Sequence, residues 1–427
     1  MSSPSDEKTL WDILREYQRE AVKAFLEAKK GIVVLPTGTG KTYVAIEALN
    51  QLKHKGLIDT FIVTVPTIAL ALQWETVLND HGIPARAYLS TGPVKTSKLT
   101  SNIFPYPTFI KLANAFRGKK SVYEFLGKGP EQQRMFLIID EAHHAHKGTK
   151  LYDAVKDFPA EYVLGLTATL PKKEESEYPF PVIYRKTYAE LRKYIPNVDF
   201  TVVSVWPDAD FLMEYRSLTN AIKSAMKVIE SPTAKPDEKR EAEEKYKRLV
   251  GRRFTLVSTY NKLLMATVQT IVMAPGKVLV FVMRIEAMRQ LVTFLRSFSN
   301  LRVFPIMSQE DVRRLRSQEW DVIIAARRLG EGIDMPEVDS IVLSSYPVSL
   351  RTLVQEVGRG MRGGSGKTLN IFSIVLRNTY MTHATIKLMK FLGVKVPKIY
   401  YFESGELVES PLLLTEEEKE EEEGGHS

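Results

Sequence analysis

Short apolar runs separated by amphipathic stretches set the rhythm of the chain. Residues 31–35, 61–65, 135–139 and 162–166 in the first half are such runs, as are 277–282, 321–325, 340–343 and 368–374 in the second. Most lack the polar–apolar alternation of a half-exposed strand, so they predict parallel strands buried on both faces. Further strands are expected at 85–89, 102–104, 200–205 and 301–304. Between them lie helical patterns. Leu10, Ile13, Leu14, Tyr17, Ala21 and Phe25 follow a 3.6-residue period, and helices are expected at 43–52, after Thr67, and at 108–116, 284–297, 309–318 and 350–359. Pro105 and Pro107 mark a loop. Strand and helix alternate twice over, which predicts an α/β fold with two layered domains. Residues 209–270 interrupt the alternation as a helical insertion, broken at 231–236, and the alternating charges of 237–253 suit a solvated helix face. The expected boundaries are 1–171, a connector and insertion at 172–270, a second α/β domain at 271–400, and an acidic, disordered tail at 401–427.

Between the first strand and its helix stand Pro36, Thr37, Gly38, Thr39, Gly40, Lys41 and Thr42. A strand, a glycine turn and a helix in that order suit a triphosphate. Gly38 and Gly40 let backbone N–H groups approach phosphate oxygens, and the helix N-terminus adds positive potential. Lys41 would reach the terminal phosphates, and the Thr42 hydroxyl would ligate Mg²⁺. Leu35 occupies the first glycine position of the strict pattern. A glycine turn without a ligand is the alternative, and Lys41 followed by Thr42 argues against it.

The run at 135–139 ends in Asp140-Glu141-Ala142-His143-His144. An acid at the carboxyl end of a buried parallel strand is placed to hold Mg²⁺ opposite a phosphate loop. Asp140 would do so through water, while Glu141 would orient and deprotonate the attacking water. A metal cluster of His143, His144 and His146 is the weaker alternative, because their spacing has no companion ligand set. Gln18, in Leu14-Arg15-Glu16-Tyr17-Gln18, offers an amide donor and acceptor for an adenine edge, or is a surface residue. Thr67 ends the second strand, where it would hold a backbone phosphate or merely cap a helix. Thr167 and Thr169 flank Ala168 at another strand tip, suited to linking hydrolysis to movement or to a polar loop.

The second α/β half has no phosphate loop, which implies that it contributes to a site shared across a cleft. Gly332 and Asp334 lie in a glycine loop with the sequence Gly-Glu-Gly-Ile-Asp. Gln355, Arg359 and Arg362 fall on one helix face. Two arginines there would stabilise charge on a transferring phosphoryl group; structural ion pairs are the alternative.

Charge adds a partner to this picture. The net charge is +8, yet residues 416–423 hold seven acids and one lysine, a net of −6, so the remainder carries +14. A basic body suits a polyanion such as nucleic acid, or general solubility. The absence of cysteine excludes disulfides, cysteine-ligated zinc and cysteine-ligated iron–sulfur clusters. No apolar run approaches the roughly 20 residues that cross a bilayer, so no membrane partner is expected. The first residues lack a signal-peptide layout, and a cytoplasmic or nucleoid-associated location is expected. The acidic tail would solubilise the chain or bind a basic protein partner.

Residues 14–18, 36–42, 65–74, 140–143, 166–169, 330–336 and 355–362, in that order, resemble the Q-type motif and motifs I, Ia, II, III, V and VI of superfamily 2 helicases. The resemblance spans about residues 10–375. The Val-Pro-Thr segment with Gln73-Trp74, Asp-Glu-Ala-His-His and Gly-Glu-Gly-Ile-Asp resemble the XPB-type repair branch. This resemblance implies two tandem RecA-like domains with parallel sheets flanked by helices, and ATP hydrolysis with Mg²⁺ driving 3′ to 5′ movement along DNA. It also implies nucleotide contacts from Arg15, Gln18, Gly332 and Asp334, and nucleic-acid contacts from Thr67, Gln73, Thr167 and Thr169. Where the family has Thr or Ser, this chain has Ala326, so Arg327 or Arg328 would take over a phosphate contact. Residues 306–320 form a shorter segment than usual, and the surroundings of Tyr106 match their motif poorly. A pared-down motor, monomeric at its simplest, is the reading. Its rivals are a subunit of a larger assembly, a remodelling translocase that does not unwind, and a nucleotide-gated scaffold.

Overall fold

The computed structural model describes residues 9–89, 102–116, 134–170, 172–315, 317–326, 338–346 and 366–410. These form two compact units, one ending at Leu191 and the other starting at Arg192.

In the first unit, α1 (Leu10–Ile13), α2 (Glu16–Ala28), β1 (Lys30–Val34), α3 (Lys41–His54), β2 (Thr60–Val65), α4 (Ile68–Asp80), β3 (Ile103–Pro105), α5 (Tyr106–Phe116), β4 (Met135–Asp140), α6 (Lys150–Lys156), β5 (Tyr162–Thr167) and β6 (Val182–Arg185) follow one another. The six strands pair in the order β3-β2-β4-β5-β1-β6, all parallel. The unbroken apolar run of β4 has a direct cause. Met135, Leu137 and Ile139 pack with Phe109, Leu112 and Leu151 of α5 and α6, whereas Phe136 stacks on Phe25 of α2 at 5.2 Å. In register, Val34 lies opposite Thr167, and Asp140 lies opposite Leu166. The carboxyl ends of β1, β5 and β4 therefore stand side by side.

Several expectations change here. The first helix is two, because Leu14 is extended (φ −62°, ψ 140°) and buried. The expected strand at 85–89 is a single bridge between Ala87 and Ile103. The loop expected at the prolines is absent: β3 leads straight into α5, with Pro107 in the first turn, where no backbone donor is needed. The unit also continues past 171 to Leu191, since β6 adds to the sheet beside β1. Ile183 of β6 fills the space a side chain would need at Gly31.

The second unit contains β7 (Asn197–Val205), α7 (Ala209–Glu230), α8 (Pro236–Ser258), α9 (Asn261–Met273), β8 (Val278–Val282), α10 (Ile285–Phe298), β9 (Val303–Ile306), α11 (Gln309–Leu315), β10 (Val322–Ala326), β11 (Ser340–Leu343), β12 (Thr368–Leu376), α12 (Tyr380–Leu392), β13 (Lys398–Glu403) and β14 (Glu406–Ser410). Its sheet runs β14-β13-β7-β12-β11-β8-β10-β9, parallel except for the antiparallel β13–β14 pair. Thus β7, expected within the connector and insertion, is an interior strand of this sheet. α8 buries only Ala242, Val257 and Ser258, as a charged, solvated helix should. Residues 401–410, expected to be disordered tail, belong to the sheet. Ile399 to Phe402 pair with β7, and a left-handed turn at Ser404-Gly405 returns the chain as β14. Residues 327–337, 347–365 and 411–427 lie outside the described residues.

Candidate nucleotide site

Beyond Val34 the Leu35 N–H still donates to Thr167 O at 3.0 Å. The chain then turns through left-handed Gly38 (φ 79°) and Gly40 (φ 77°), and Gly40 caps α3. A Cβ at Gly40 would sit 2.5 Å from Gln18 Nε2, so a side chain there would strain the backbone and displace the Gln18 amide. Side chains fix the loop through its carbonyls. Thr39 Oγ1 donates to Pro36 O at 2.6 Å, Tyr17 OH to Thr39 O at 2.7 Å, and Gln18 Nε2 to Thr39 O at 3.0 Å and Gly40 O at 3.3 Å. Tyr188 OH donates to Thr37 O at 3.4 Å, and Lys41 Nζ to Leu35 O at 3.3 Å. A phosphate requires the loop's N–H groups instead.

On the next strand but one, Asp140 and Glu141 leave the sheet. Asp140 is buried, its Oδ2 accepting from Trp74 Nε1 at 2.8 Å and its Oδ1 from Glu141 N at 3.0 Å. Burial pushes the Asp140 carboxyl up to about 6, and the Glu141 charge adds to the rise. Burial acts on Glu141 too, but the approach of His143 and the charges of Lys41, His143 and His144 outweigh it and hold its carboxyl below the usual range. Glu141 Oε2 lies 3.3 Å from His143 Nδ1, yet it is buried without an aligned hydrogen bond. Its backbone is left-handed (φ 51°, ψ 48°). Tyr106 OH reaches the carbonyls of both acids, Asp140 at short range and Glu141 at 3.1 Å.

A third strand tip joins them. His143 Nδ1 is 3.1 Å from Thr167 Oγ1, and Thr167 Oγ1 donates to Thr169 O at 3.2 Å. The acid turn and the Thr167-Ala168-Thr169 segment are thereby tied together beside the phosphate loop.

Two family models match the chain: the type III restriction enzyme res subunit over residues 12–172, and the helicase conserved C-terminal domain over residues 261–364. The DNA 3'-5' translocase XPB2 of Sulfurisphaera tokodaii is 28% identical over 389 residues, which cover 86% of this chain and 82% of that protein. The chain is a superfamily 2 helicase of the XPB type. Solved structures agree on the fold. The Pyrococcus furiosus Hef helicase domain, 17% identical, matches with a TM-score of 0.53 over 87% of this chain and 97% of its own. The ATP-dependent type ISP restriction-modification enzyme LlaBIII bound to DNA, also 17% identical, matches with a TM-score of 0.58 over 89% and 30%. The two units of the helicase are accordingly RecA-like domains, and its reaction is ATP hydrolysis.

In this helicase the phosphate loop, Gln18, Asp140 and Glu141 gather at one sheet edge, and Lys41 is close enough to act on both acids electrostatically. Arg15 takes part through its N–H, which donates to Gln18 Oε1 at 2.8 Å. Both ends of the Gln18 amide are therefore engaged by the backbone. Thr67 caps α4, its hydroxyl accepting from Leu70 N at 3.3 Å, and Gln73 is half-buried on that helix. Thr167 is a correction: it is fully buried on His143 and has no surface for nucleic acid. Of the suggested histidine cluster, His143 holds Thr167, and His146 Nδ1 lies 3.0 Å from Lys147 O. Gly332, Asp334, Gln355, Arg359, Arg362, Arg327 and Arg328 lie outside the described residues. Sequence reasoning overlooked Tyr17, Trp74, Tyr106 and Tyr188. Tyr17 and Trp74 sat inside quoted motifs, but their partners are 22 and 66 residues away.

Proposed function

We propose that this helicase binds ATP on residues 36–42, hydrolyses it with Glu141 as general base, and uses the cycle to move along DNA in the 3′ to 5′ direction. What carries the reading is the adjacency of β1, β5 and β4, which sets the phosphate loop beside the acid pair at one carboxyl edge. Lys41 would exchange Leu35 O for the terminal phosphates, and the loop N–H groups would bind the rest of the chain of phosphates. Glu141, held below the usual carboxylate range, stays ionised near neutral pH and can take a proton from water.

The residues present also fit a divalent cation. A buried carboxylate and a partly buried one stand next to each other, Asp140 is raised by its burial and by the Glu141 charge, and Glu141 Oε2 lacks a hydrogen bond. Asp140, through water, and Thr42 would hold Mg²⁺, whose charge offsets that of the phosphates. The roles of Gly332, Asp334, Gln355, Arg359 and Arg362 rest on the sequence: the first two toward the nucleotide, the last three toward the transferring phosphoryl group. Nucleic-acid contact is assigned to Thr67, Gln73, Thr169, Arg327 and Arg328. DNA as the track is supported by the XPB2 translocase, by the DNA-bound LlaBIII and by the basic body. A motor of this kind works where DNA lies, in the cytoplasm or nucleoid.

ATPase titrations with single-stranded DNA, duplex DNA and RNA test the proposal. DNA is expected to stimulate turnover, and a chain that binds DNA without stimulation is the scaffold instead. Lys41→Ala and Glu141→Gln are each expected to lower turnover about 100-fold or more while leaving the melting temperature in place. Near-normal turnover in either variant overturns the site. Strand-displacement against triplex-displacement assays separate unwinding from translocation.

A further inference from the structure

We infer that Trp74 and Tyr106 are positioning residues that hold the Asp140–Glu141 pair, Trp74 through the carboxylate and Tyr106 through the main chain. The inference rests on the roles proposed above for the two acids.

Trp74 lies on α4 and is almost fully buried. Its indole N–H takes Asp140 Oδ2 at 2.8 Å, while Glu141 N takes Oδ1 at 3.0 Å. One fixed donor on each oxygen prevents the carboxylate from turning about its last torsion. Each oxygen accepts more than one hydrogen bond, so both keep a lone pair for water around a cation. Asp140 would hold its metal through water, and the indole orients that ligand as outer partners commonly do.

Tyr106 acts on the other half of the pair. It opens α5, and its hydroxyl lies against the carbonyls of Asp140 and Glu141. Glu141 is left-handed (φ 51°), a conformation unfavourable for a residue with a side chain, which persists only where the surroundings enforce it. His144 N, which donates to Glu141 O at 3.1 Å, closes the turn from within. Tyr106 closes it from outside. Both side chains belong to elements that follow β2 and β3, on the far side of β4 from the phosphate loop.

The two grips predict different signatures, read with the full-length protein. Mn²⁺ affinity is measured by electron paramagnetic resonance in the presence of a non-hydrolysable ATP analogue, and steady-state ATPase gives kcat and KM. Trp74→Phe is expected to weaken Mn²⁺ binding about 10- to 100-fold. Tyr106→Phe is expected to keep Mn²⁺ affinity and the KM for ATP within about twofold while kcat falls about tenfold or more. Wild-type values of Mn²⁺ affinity, kcat and KM in both variants overturn the inference. So does a lowered melting temperature with those values unchanged, which marks a packing role. Should Trp74→Phe fail to fold, Tyr106→Phe, which removes one oxygen, still decides the main-chain half. Wild-type turnover in Glu141→Gln would overturn the underlying reading. An inactive Glu141→Gln beside unaffected phenylalanine variants overturns this inference alone.

Discussion

At Gly40 two demands meet in one residue. Its left-handed backbone is costly for any side chain, and Gln18 Nε2 occupies the place a Cβ would take. Gly40→Ala would add about 1–2 kcal/mol of backbone strain and would also drive Gln18 from the carbonyls of Thr39 and Gly40. Gly56 supplies the comparison: it has φ 59° and nothing within 4 Å of an added Cβ. Both alanine variants are expected to melt at lower temperature, but only Gly40→Ala should raise the KM for ATP, by about tenfold or more, as loss of a positioned loop implies. An equal KM in the two would show that Gln18 does not hold the loop. Side chains of this kind divide what could be read in advance from what could not. Gly38, Gly40, Lys41, Asp140 and Glu141 follow from local order along the chain, since a phosphate loop and an acid at a strand tip are local patterns. The same locality hid the engaged amide of Gln18 and the burial of Thr167. Their partners, Thr39 and His143, are 21 and 24 residues distant.

Strands were legible because parallel strands covered on both faces must be apolar throughout, and β4, β5, β8 and β10 are buried at every position. Edge strands carry no such signal. β6 is only half-buried along its length, and its proline-flanked surroundings read as a connector. β14, at the edge of the second sheet, is largely exposed and β13 beside it is mostly half-buried, so the chain before the acidic tail read as tail. Pairs at strand starts escape periodicity as well. Arg302 and Asp321, just before β9 and β10, make a two-pronged bond: Arg302 Nε to Oδ2 at 3.0 Å and Nη2 to Oδ1 at 2.8 Å. The Arg302 side chain, its backbone N–H and its charge hold the Asp321 carboxyl down at about 2. Because the folded value lies below the unfolded one, the pair stabilises above about 4 and is lost as pH falls through about 2. Both side chains are substantially solvated, so Asp321→Asn is expected to cost only about 1 kcal/mol at neutral pH. Denaturant melts of variant and wild type should converge between about pH 4 and pH 2. A gap that persists at pH 2 would assign the loss to packing.

For the molecule as a whole, two α/β units with one phosphate loop were readable from the repeated alternation, whereas their seam was not. β7 enters the second sheet ahead of the α7–α8 hairpin, so the helical insertion interrupts a domain that has already begun. Charge is the other property that belongs to the whole chain. Residues 411–427 follow β14 in the sequence and carry seven acids against one lysine, leaving +14 on the rest. A tail of that sign tethered to a basic body lowers the attraction for DNA at long range without touching any phosphate. Ending the chain at Ser410 is therefore expected to raise DNA affinity a few-fold at about 50 mM salt, with the gain gone near 0.3 M, where the Debye length is about 6 Å. The slope of log affinity against log salt should stay the same, because it counts phosphates neutralised and the truncation adds no contact. DNA-saturated turnover should also be unchanged. Fluorescence anisotropy across a salt series reads both quantities. A steeper slope would mean that the tail occupies phosphate-binding side chains until DNA displaces it, and lower affinity would mean that it contributes to binding.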